Sequence, residues 1–253
     1  MSTSIVLTFD DGSPSDLRIA ELLEKYRLHG TFFVPINNSM NGGISVMTRS
    51  QLRQLSKKFE IGAHTLEHVA LTKITPDEAK NELRYSKKEL ENIIGKPVIK
   101  FCYPYGYFNK NIMNLVREAG FISARTTSWF HTDRKFDPYS EPTTIHFFRH
   151  PVWEHFGHCL KWKNFNGLEY YIHSHCPTSP VSLSEIFLEK AKKEKGIFHL
   201  WGHSWLFDRE GLWTEFEKVL KLLSANNHDS LNKMLSILFI VLGSLRIEFL
   251  LDF

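Results

Sequence analysis

The chain has 253 residues, of which 42% are hydrophobic and 23% are charged. This balance is typical of a globular protein and excludes a disordered or fibrous chain. The 31 basic and 28 acidic residues leave a net charge of +3 with neutral histidines, so we predict no nucleic-acid partner. No Pro/Gly/Ser-rich linker divides the sequence, which favours one domain over two.

The cysteines and the residues that follow Met1 both indicate the cellular compartment of the protein. The three cysteines, Cys102, Cys159 and Cys176, show no CxxC spacing, which indicates a reducing compartment. The residues after Met1 form neither a basic region nor a long apolar one, so no signal peptide is recognised. Both observations predict a cytoplasmic protein, whereas the sequence gives no indication of its oligomeric state.

Short β-rich runs alternate with helical runs along the chain. The predicted strands are residues 4–9, 31–35, 60–64, 98–103, 121–126, 144–148 and 196–202. The predicted helices are residues 15–27, 50–58, 75–94, 110–119, 183–193 and 211–223. The third helix has the strongest signals, because Thr75 and Glu78 form a capping box at its start and Gly95 follows its end.

This alternation is typical of a parallel sheet covered by helices. Seven strands in about 200 residues, without a Gly-rich nucleotide fingerprint after the first, favour a barrel over a doubly wound sheet. We therefore expect an α/β fold, namely a distorted, incompletely closed (β/α)7 barrel similar to a TIM barrel. In such barrels the chemistry lies where strands end and the next loops begin.

Polar residues that carry chemistry follow the predicted strands at these positions. They are Asp10, Asp11, His64, His68, Tyr105, Arg125 and His203. Two histidines four residues apart, together with one carboxylate, form a common ligand set for catalytic zinc. Taken singly, the aspartates also suit a turn that caps the next helix, and the histidines suit a solvated loop. The pattern is not HExxH, because Glu67 stands in the wrong position.

Four segments together carry a resemblance to a known family. Residues 8–12 read TFDDG, residues 64–68 read HTLEH, residues 102–106 read CYPYG and residues 196–203 read GIFHLWGH. In this order they resemble the motifs of the polysaccharide deacetylases, carbohydrate esterase family four. The resemblance covers roughly residues 4–225, and its first two motifs are specific. The third motif departs from the family, because Cys102 stands where an arginine is usual.

The resemblance implies roles for the residues that match these motifs. Asp11, His64 and His68 would bind one divalent metal ion, most often zinc. Asp10 would be the general base for the attacking water. The backbone N–H of Tyr105 would help to hold the developing oxyanion.

Two further roles follow less directly. His203 lies nearest the end of the last strand and is expected to protonate the leaving amine, whereas His199 is expected to be a buried structural histidine. Arg125 is expected to orient Asp10, as an arginine does in the family's fourth motif, although the usual tryptophan-containing sequence of that motif is not visible. Whether Arg125 compensates for the arginine that Cys102 replaces stays open.

Six further histidines fall between residues 144 and 176, and we assign none of them to the site. They are His146, His150, His155, His158, His173 and His175. Residues 173–176 (HSHC) look like a metal clip, but no second ligand pair accompanies them, so a polar loop is favoured. Among nearby aromatic residues, Trp129 and Trp153 suit either a sugar-binding rim or core packing.

We expect residues 1–225 to form the catalytic domain and residues 226–253 an atypical apolar tail. The segment from Met234 to Leu251 is strongly apolar, but its uncharged part is shorter than the roughly 20 residues that cross a bilayer. A terminal element packed on the barrel is therefore favoured over peripheral membrane contact.

The leading functional hypothesis is a metal-dependent hydrolase that removes the N-acetyl group of an amino sugar, in a polysaccharide or glycoconjugate. One alternative is a hydrolase of the same fold that acts on a non-sugar C–N bond in a ureide or formamide. Another is a non-catalytic carbohydrate-binding barrel, which would have no need of a base beside its metal ligands. The sequence does not name the sugar.

Overall fold

The computed structural model describes residues 2–37 and 45–227, and these form a curled sheet of seven parallel strands surrounded by helices. The strands are β1 (Ser4–Asp10), β2 (Thr31–Val34), β3 (Glu60–Ala63), β4 (Lys100–Cys102), β5 (Ser123–Arg125), β6 (Ile145–His146) and β7 (Ile197–Gly202). Their order in the sheet is β5-β4-β3-β2-β1-β7-β6, so β1 lies inside the sheet and β5 and β6 lie at its edges. The prediction of an α/β, incompletely closed (β/α)7 barrel is confirmed.

Nine helices are present in the described residues. They are α1 (Asp16–Lys25), α2 (Arg49–Leu55), α3 (Pro76–Ile94), α4 (Lys110–Glu118), α5 (Val152–Lys161), α6 (Phe165–His173), α7 (Pro180–Glu194), α8 (Ser204–Glu210) and α9 (Trp213–Asn226). The capping box predicted for α3 is present, since Thr75 accepts from the backbone N–H of Glu78 and Glu78 accepts from that of Thr75. Gly95 ends this helix in the left-handed conformation, at φ +68°.

Helices α5, α6 and α8 were not predicted from the sequence. In α5 the fully buried residues are His155 and Cys159, whereas Trp153 and Leu160 are exposed, so large apolar side chains do not mark its buried face. Helix α8 begins directly after β7 and has no side-chain cap to mark its start. Helix α6 does have a local signal that the sequence reading missed, since the side chain of Asn164 caps its start by accepting from the backbone N–H of Gly167.

The two faces of β1 pack against different parts of the molecule. Phe9 packs against Phe32 of β2 and, edge to face, against Phe216 of α9, which joins the sheet to its helical layer. Thr8 on the opposite face bonds to His199 of β7 inside the barrel. Asp10 follows on that inner face, at the end of the strand. The barrel interior is therefore polar at the end where the strands stop.

The predicted tail, residues 226–253, falls almost entirely outside the described residues, and so does the segment from Met234 to Leu251. The division at residue 225 therefore stays a prediction. Within residues 2–37 and 45–227, no helix is both long and apolar enough to cross a membrane.

Candidate active site

The carboxyl ends of the parallel strands bring the predicted site residues to one rim. Asp10 is the last residue of β1, His64 follows β3, Arg125 is the last residue of β5 and His203 follows β7. Asp10, Asp11, His64, His68, Tyr105 and His203 all line one cavity of about 700 Å³. This volume is within the range of small-ligand sites.

Three side chains converge on a position that suits a metal ion. Asp11 Oδ1 lies 3.1 Å from His68 Nε2 and 3.6 Å from His64 Nε2, and the two nitrogens are 3.2 Å apart. A tetrahedral zinc ion with ligand bonds of about 2.0–2.1 Å separates its donor atoms by about 3.3 Å. All three residues are buried. The donor set predicted from residues 64–68 and Asp11 therefore has the spacing of a divalent-metal site.

The protonation of these groups also suits a metal. His64 Nδ1 bonds to the backbone carbonyl of Cys102 at 2.8 Å, which makes Nδ1 the donor and leaves a lone pair on Nε2. Burial and the neighbouring His68 lower the pKa of His64 to about 4, so its ring is neutral. Burial tends to raise the pKa of Asp11, but His203, His68 and His64 outweigh it and hold the carboxyl ionised.

A second group of potential ligands adjoins the first but fits a cation poorly. Asp10, His64 and Cys102 also lie close together. The guanidinium of Arg125 already contacts Asp10 and lies 2.7 Å from Cys102 Sγ, so a positive charge fills this position. Burial raises the pKa of the Cys102 thiol well above its usual value, which disfavours the thiolate that binds metals. The set with Asp11 is therefore the better candidate.

The backbone is strained where it delivers the ligands. Asp11, Thr65, His68 and Tyr105 all have positive φ, between +55° and +75°. Non-glycine residues rarely adopt this region, and they cluster at functional sites where the surrounding structure enforces it. Gly12, directly after Asp11, also has a positive φ of +61°. A Cβ at this position would lie 2.7 Å from Cγ1 of Val34, so no larger residue fits without a shift of the structure.

Asp10 forms a buried ion pair with Arg125. Both side chains are almost inaccessible, and Arg125 Nη2 contacts Asp10 Oδ2. Burial lowers the pKa of Arg125, but the Asp10 charge outweighs it and keeps the guanidinium charged. Asp10 Oδ1 is buried and has no hydrogen-bond partner among the described residues, so one carboxylate oxygen is anchored by Arg125 and the other is unpaired.

The remaining predicted residues lie around this centre. His203 Nε2 is 3.9 Å from Asp11 Oδ2, and the indole of Trp205 donates to the same oxygen at 2.9 Å. The ring of Tyr105 stands at the exposed rim with its centroid 4.9 Å from that of His68. His199 lies away from the cavity, where it is buried and bonded to Thr8, as expected of a structural histidine.

Sequence reasoning missed several residues of the cavity wall. His146, His150 and His158 line it together with Trp129, although these histidines were assigned no part in the site. One signal was available, because His146 belongs to the predicted sixth strand and lies at its carboxyl end in the structure. The HSHC segment lies at the end of α6 and in the loop after it.

Comparisons with known proteins agree with these motifs. Residues 2–124 match the model of the family described as polysaccharide deacetylase. A curated relative, the peptidoglycan-N-acetylglucosamine deacetylase of Bacillus cereus, is 29% identical over 134 residues, which are 51% of this chain and 58% of the relative. The chain spans about half the length of the curated relatives it matches.

Two solved structures share the fold. The deacetylase PplD of Streptococcus pyogenes, solved with acetate, has a TM-score of 0.51 at 22% identity and covers 55% of this chain and 62% of its own. A T48 deacetylase solved with substrate has a TM-score of 0.52 at 19% identity and covers 90% of this chain and 85% of its own. At these identities the likeness shows the fold alone.

Residues 2–124, just under half of the chain, are thus similar to the polysaccharide deacetylase family. The matched region contains Asp10, Asp11, His64, His68 and Tyr105. Arg125, His146 and His203 lie beyond residue 124, so their place in the site rests on the structure of this chain.

Proposed function

We propose that the protein is a metal-dependent hydrolase that removes the acetyl group from an N-acetylated amino sugar. The observation that carries this proposal is the convergence of Asp11, His64 and His68 on one point beside the buried pair of Asp10 and Arg125. Two neutral imidazoles and one carboxylate suit zinc, which is the ion we propose. The family and the Bacillus cereus relative support an N-acetylglucosamine unit as the substrate class.

Each residue of the proposed site has a separate task. A divalent ion, when bound, polarises the amide carbonyl and lowers the pKa of a water molecule. Asp10 accepts a proton from the attacking water at Oδ1, while Arg125 holds Oδ2 and fixes the direction of the carboxylate. The attacking oxygen forms a bond to the acetyl carbon, and the C–N bond of the amide then breaks.

The oxyanion and the leaving amine are served by different groups. Tyr105 stands beside His68 in a tight turn with φ +58°, and we assign its backbone N–H to the oxyanion. His203 Nε2 faces the cavity and donates a proton to the amine nitrogen, so that acetate and an amino sugar leave. The aromatic side chains of Trp129 and Trp201 line the same cavity, which suits packing against the apolar face of a sugar ring.

The test measures the products released from a panel of substrates. Metal-stripped protein and protein reloaded with zinc are incubated with chitooligosaccharides, peptidoglycan fragments, a ureide and a formamide, and acetate, ammonia and formate are quantified. We expect acetate from an N-acetylated sugar, only after reloading, and far slower release from the Asp10→Asn variant.

Two results would replace the proposal. Ammonia or formate without acetate would assign the site to a non-sugar C–N bond. Sugar binding by the zinc-loaded protein, with no acetate from any sugar, would favour a carbohydrate-binding barrel. The cytoplasmic location stays a prediction that fractionation of the native host can test.

A further inference from the structure

A line of side chains in close polar contact leads from His203 to the protein surface. His203 Nδ1 lies 3.4 Å from His146 Nε2, His146 Nδ1 lies 2.7 Å from His150 Nε2, and His150 Nδ1 lies 2.9 Å from Glu154 Oε1. His146 ends β6, and Glu154 lies in the first turn of α5. The side chain of Glu154 is 40% exposed, whereas that of His150 is only 8% exposed. The line therefore begins in the cavity and ends in solvent.

The carboxylate at the outer end sets the direction of every bond in this line. A carboxylate oxygen and an unprotonated ring nitrogen 2.9 Å apart would repel each other, so His150 Nδ1 carries the ring proton beside Glu154, in an ion-pair contact that lacks hydrogen-bond alignment. A neutral imidazole has a single N–H, so His150 Nε2 accepts from His146 Nδ1. His146 Nε2 then accepts in turn, and the donor to it is His203 Nδ1.

The surroundings of His146 and His150 favour the neutral rings that this pattern needs. Burial holds the pKa of His146 well below its usual value, and the neighbouring His150 and His203 act in the same direction. Burial also lowers the pKa of His150, although Glu154 opposes it. Two charged imidazoles 2.7 Å apart would repel each other.

Aromatic side chains hold the rings in place. His146 stacks on Trp201 with ring centroids 4.0 Å apart, and His150 packs against Trp129 at 4.7 Å. His203 lies against Trp201 at 5.3 Å. The rings therefore have little freedom to turn and exchange their nitrogens.

We propose that His146 is a positioning residue, and that the line from Glu154 through His150 and His146 fixes His203 as the Nδ1–H tautomer with Nε2 facing the cavity. The role of Nε2 in turnover rests on the proposed function. When protonated His203 gives its Nε2 proton to the leaving amine, it becomes the Nδ1–H tautomer that His146 accepts from. The same nitrogen thus faces the substrate before and after the proton moves.

The first test reads the tautomer directly and needs no turnover. The zinc-loaded protein is labelled with ¹⁵N-histidine, and its ring nitrogens are assigned in long-range ¹H–¹⁵N spectra at about pH 8, where free imidazoles are neutral. The His203→Gln variant identifies the His203 signals. We expect a protonated Nδ1 and an unprotonated Nε2 in His203. A neutral His203 with its proton on Nε2 would overturn the proposal.

The second test separates positioning from packing. His146→Phe keeps the ring stacked on Trp201 but removes both nitrogens, whereas His146→Gln loses the stacking and offers an oxygen to His203 Nδ1. We expect His146→Phe to lower kcat by about 10–100-fold with KM nearly unchanged, and His146→Gln to recover much of that loss. If the histidine only packed, the Phe variant would be the more active of the two, and the proposal would be wrong.

A matched pair of variants tests the role of Glu154, at the solvent end of the line. Glu154→Gln removes the carboxylate that directs the line, so we expect the His203 signals to report a mixture of tautomers. Glu185→Gln, on the exposed face of α7, removes a surface carboxylate elsewhere and should leave them unchanged. The expected tautomer together with no acetate from any sugar would count against the proposed function alone, whereas acetate release with the opposite tautomer would count against this inference alone.

Discussion

The guanidinium of Arg125 on β5 contacts the carboxylate of Asp10 on β1, four strands away in the curled sheet, and both groups are buried. Arg125 ends β5 at the edge of the sheet, Asp10 ends β1 in its interior, and Cys102 of β4 contacts both. Arg125, on the strand next to that of Cys102, is thus paired to the residue we propose as the base.

This relationship predicts that the arginine can be moved. Arg125→Ser leaves a buried carboxylate unpaired, so we expect a loss of about 3–5 kcal/mol in the free energy of unfolding and a large loss of activity. The double variant Cys102→Arg/Arg125→Ser places a guanidinium on the adjacent strand, and we expect it to recover part of both. Urea unfolding and acetate release measure the two effects. A double variant no better than Arg125→Ser would show that position 102 cannot serve Asp10 in this chain.

Metal content should depend on one of the two candidate ligand groups. We expect His64→Ala and His68→Ala to lose the metal, because each removes a donor from a set of three. Cys102→Ser is the matched control, since it alters the alternative group only, and it should retain the metal. Elemental analysis after dialysis against zinc measures the stoichiometry. Full retention in the double histidine variant would exclude this site.

The two adjacent aspartates should differ in what they support. Asp10→Asn should keep the metal and lose about 10²–10⁴-fold in rate, because the amide cannot accept the proton. Asp11→Asn should instead weaken metal binding, since Trp205 would engage the amide oxygen and turn the NH₂ group towards the histidines. Calorimetric titration with zinc and kinetics measure both variants. The reverse pattern would exchange the roles of Asp10 and Asp11.

Substitution of His203 should affect catalysis, whereas substitution of His199 should affect stability. His203→Gln should lower kcat more than it changes KM, because a proton reaches the amine only in the transition state. His199→Gln should mainly lower stability, by about 1–3 kcal/mol, because His199 bonds to Thr8 inside the barrel. Steady-state kinetics and urea unfolding distinguish them. A stable His199→Gln protein with low kcat, beside an active His203→Gln protein, would transfer the acid role to His199.

We predict that His155 makes the free energy of unfolding depend on pH. Both of its ring nitrogens lack partners among the described residues, and burial lowers its pKa to about 4 from the model-peptide value of 6.5. Because the unfolded chain binds the proton more readily, this histidine stabilises the fold above about pH 6.5 and loses that contribution as the pH falls towards about 4. The loss is about 1 kcal/mol at about pH 5.5.

The His155→Phe variant tests this dependence. Phenylalanine suits a ring that packs on Phe130 and Tyr171, so the variant should lose less stability between about pH 7.5 and about pH 5.5 than the parent. His29→Phe, at an exposed position, is the control and should leave the pH dependence unchanged. Urea unfolding at several pH values measures it. An identical slope in His155→Phe and the parent would contradict the prediction.

The local sequence determined the elements and the rim on which the site lies. Alternating strand and helix patterns, with caps such as Thr75 and Gly95, are read within a few residues, and parallel strands place their carboxyl ends together. Asp10, His64, Arg125 and His203 therefore reach one edge of the sheet whatever the details of packing. The identity of the metal-ligand set followed from the resemblance of two short motifs, TFDDG and HTLEH.

Only the tertiary structure decided which of these side chains touch. The pairing of Arg125 with Asp10 joins residues 115 positions apart across a curled sheet, and no local pattern encodes that curl. Helix α5 was not predicted, and its two fully buried residues are His155 and Cys159 rather than large aliphatic side chains. The line from His203 to Glu154 joins the residue after β7, the end of β6 and the first turn of α5, and it forms only because the fold brings these segments to the wall of one cavity.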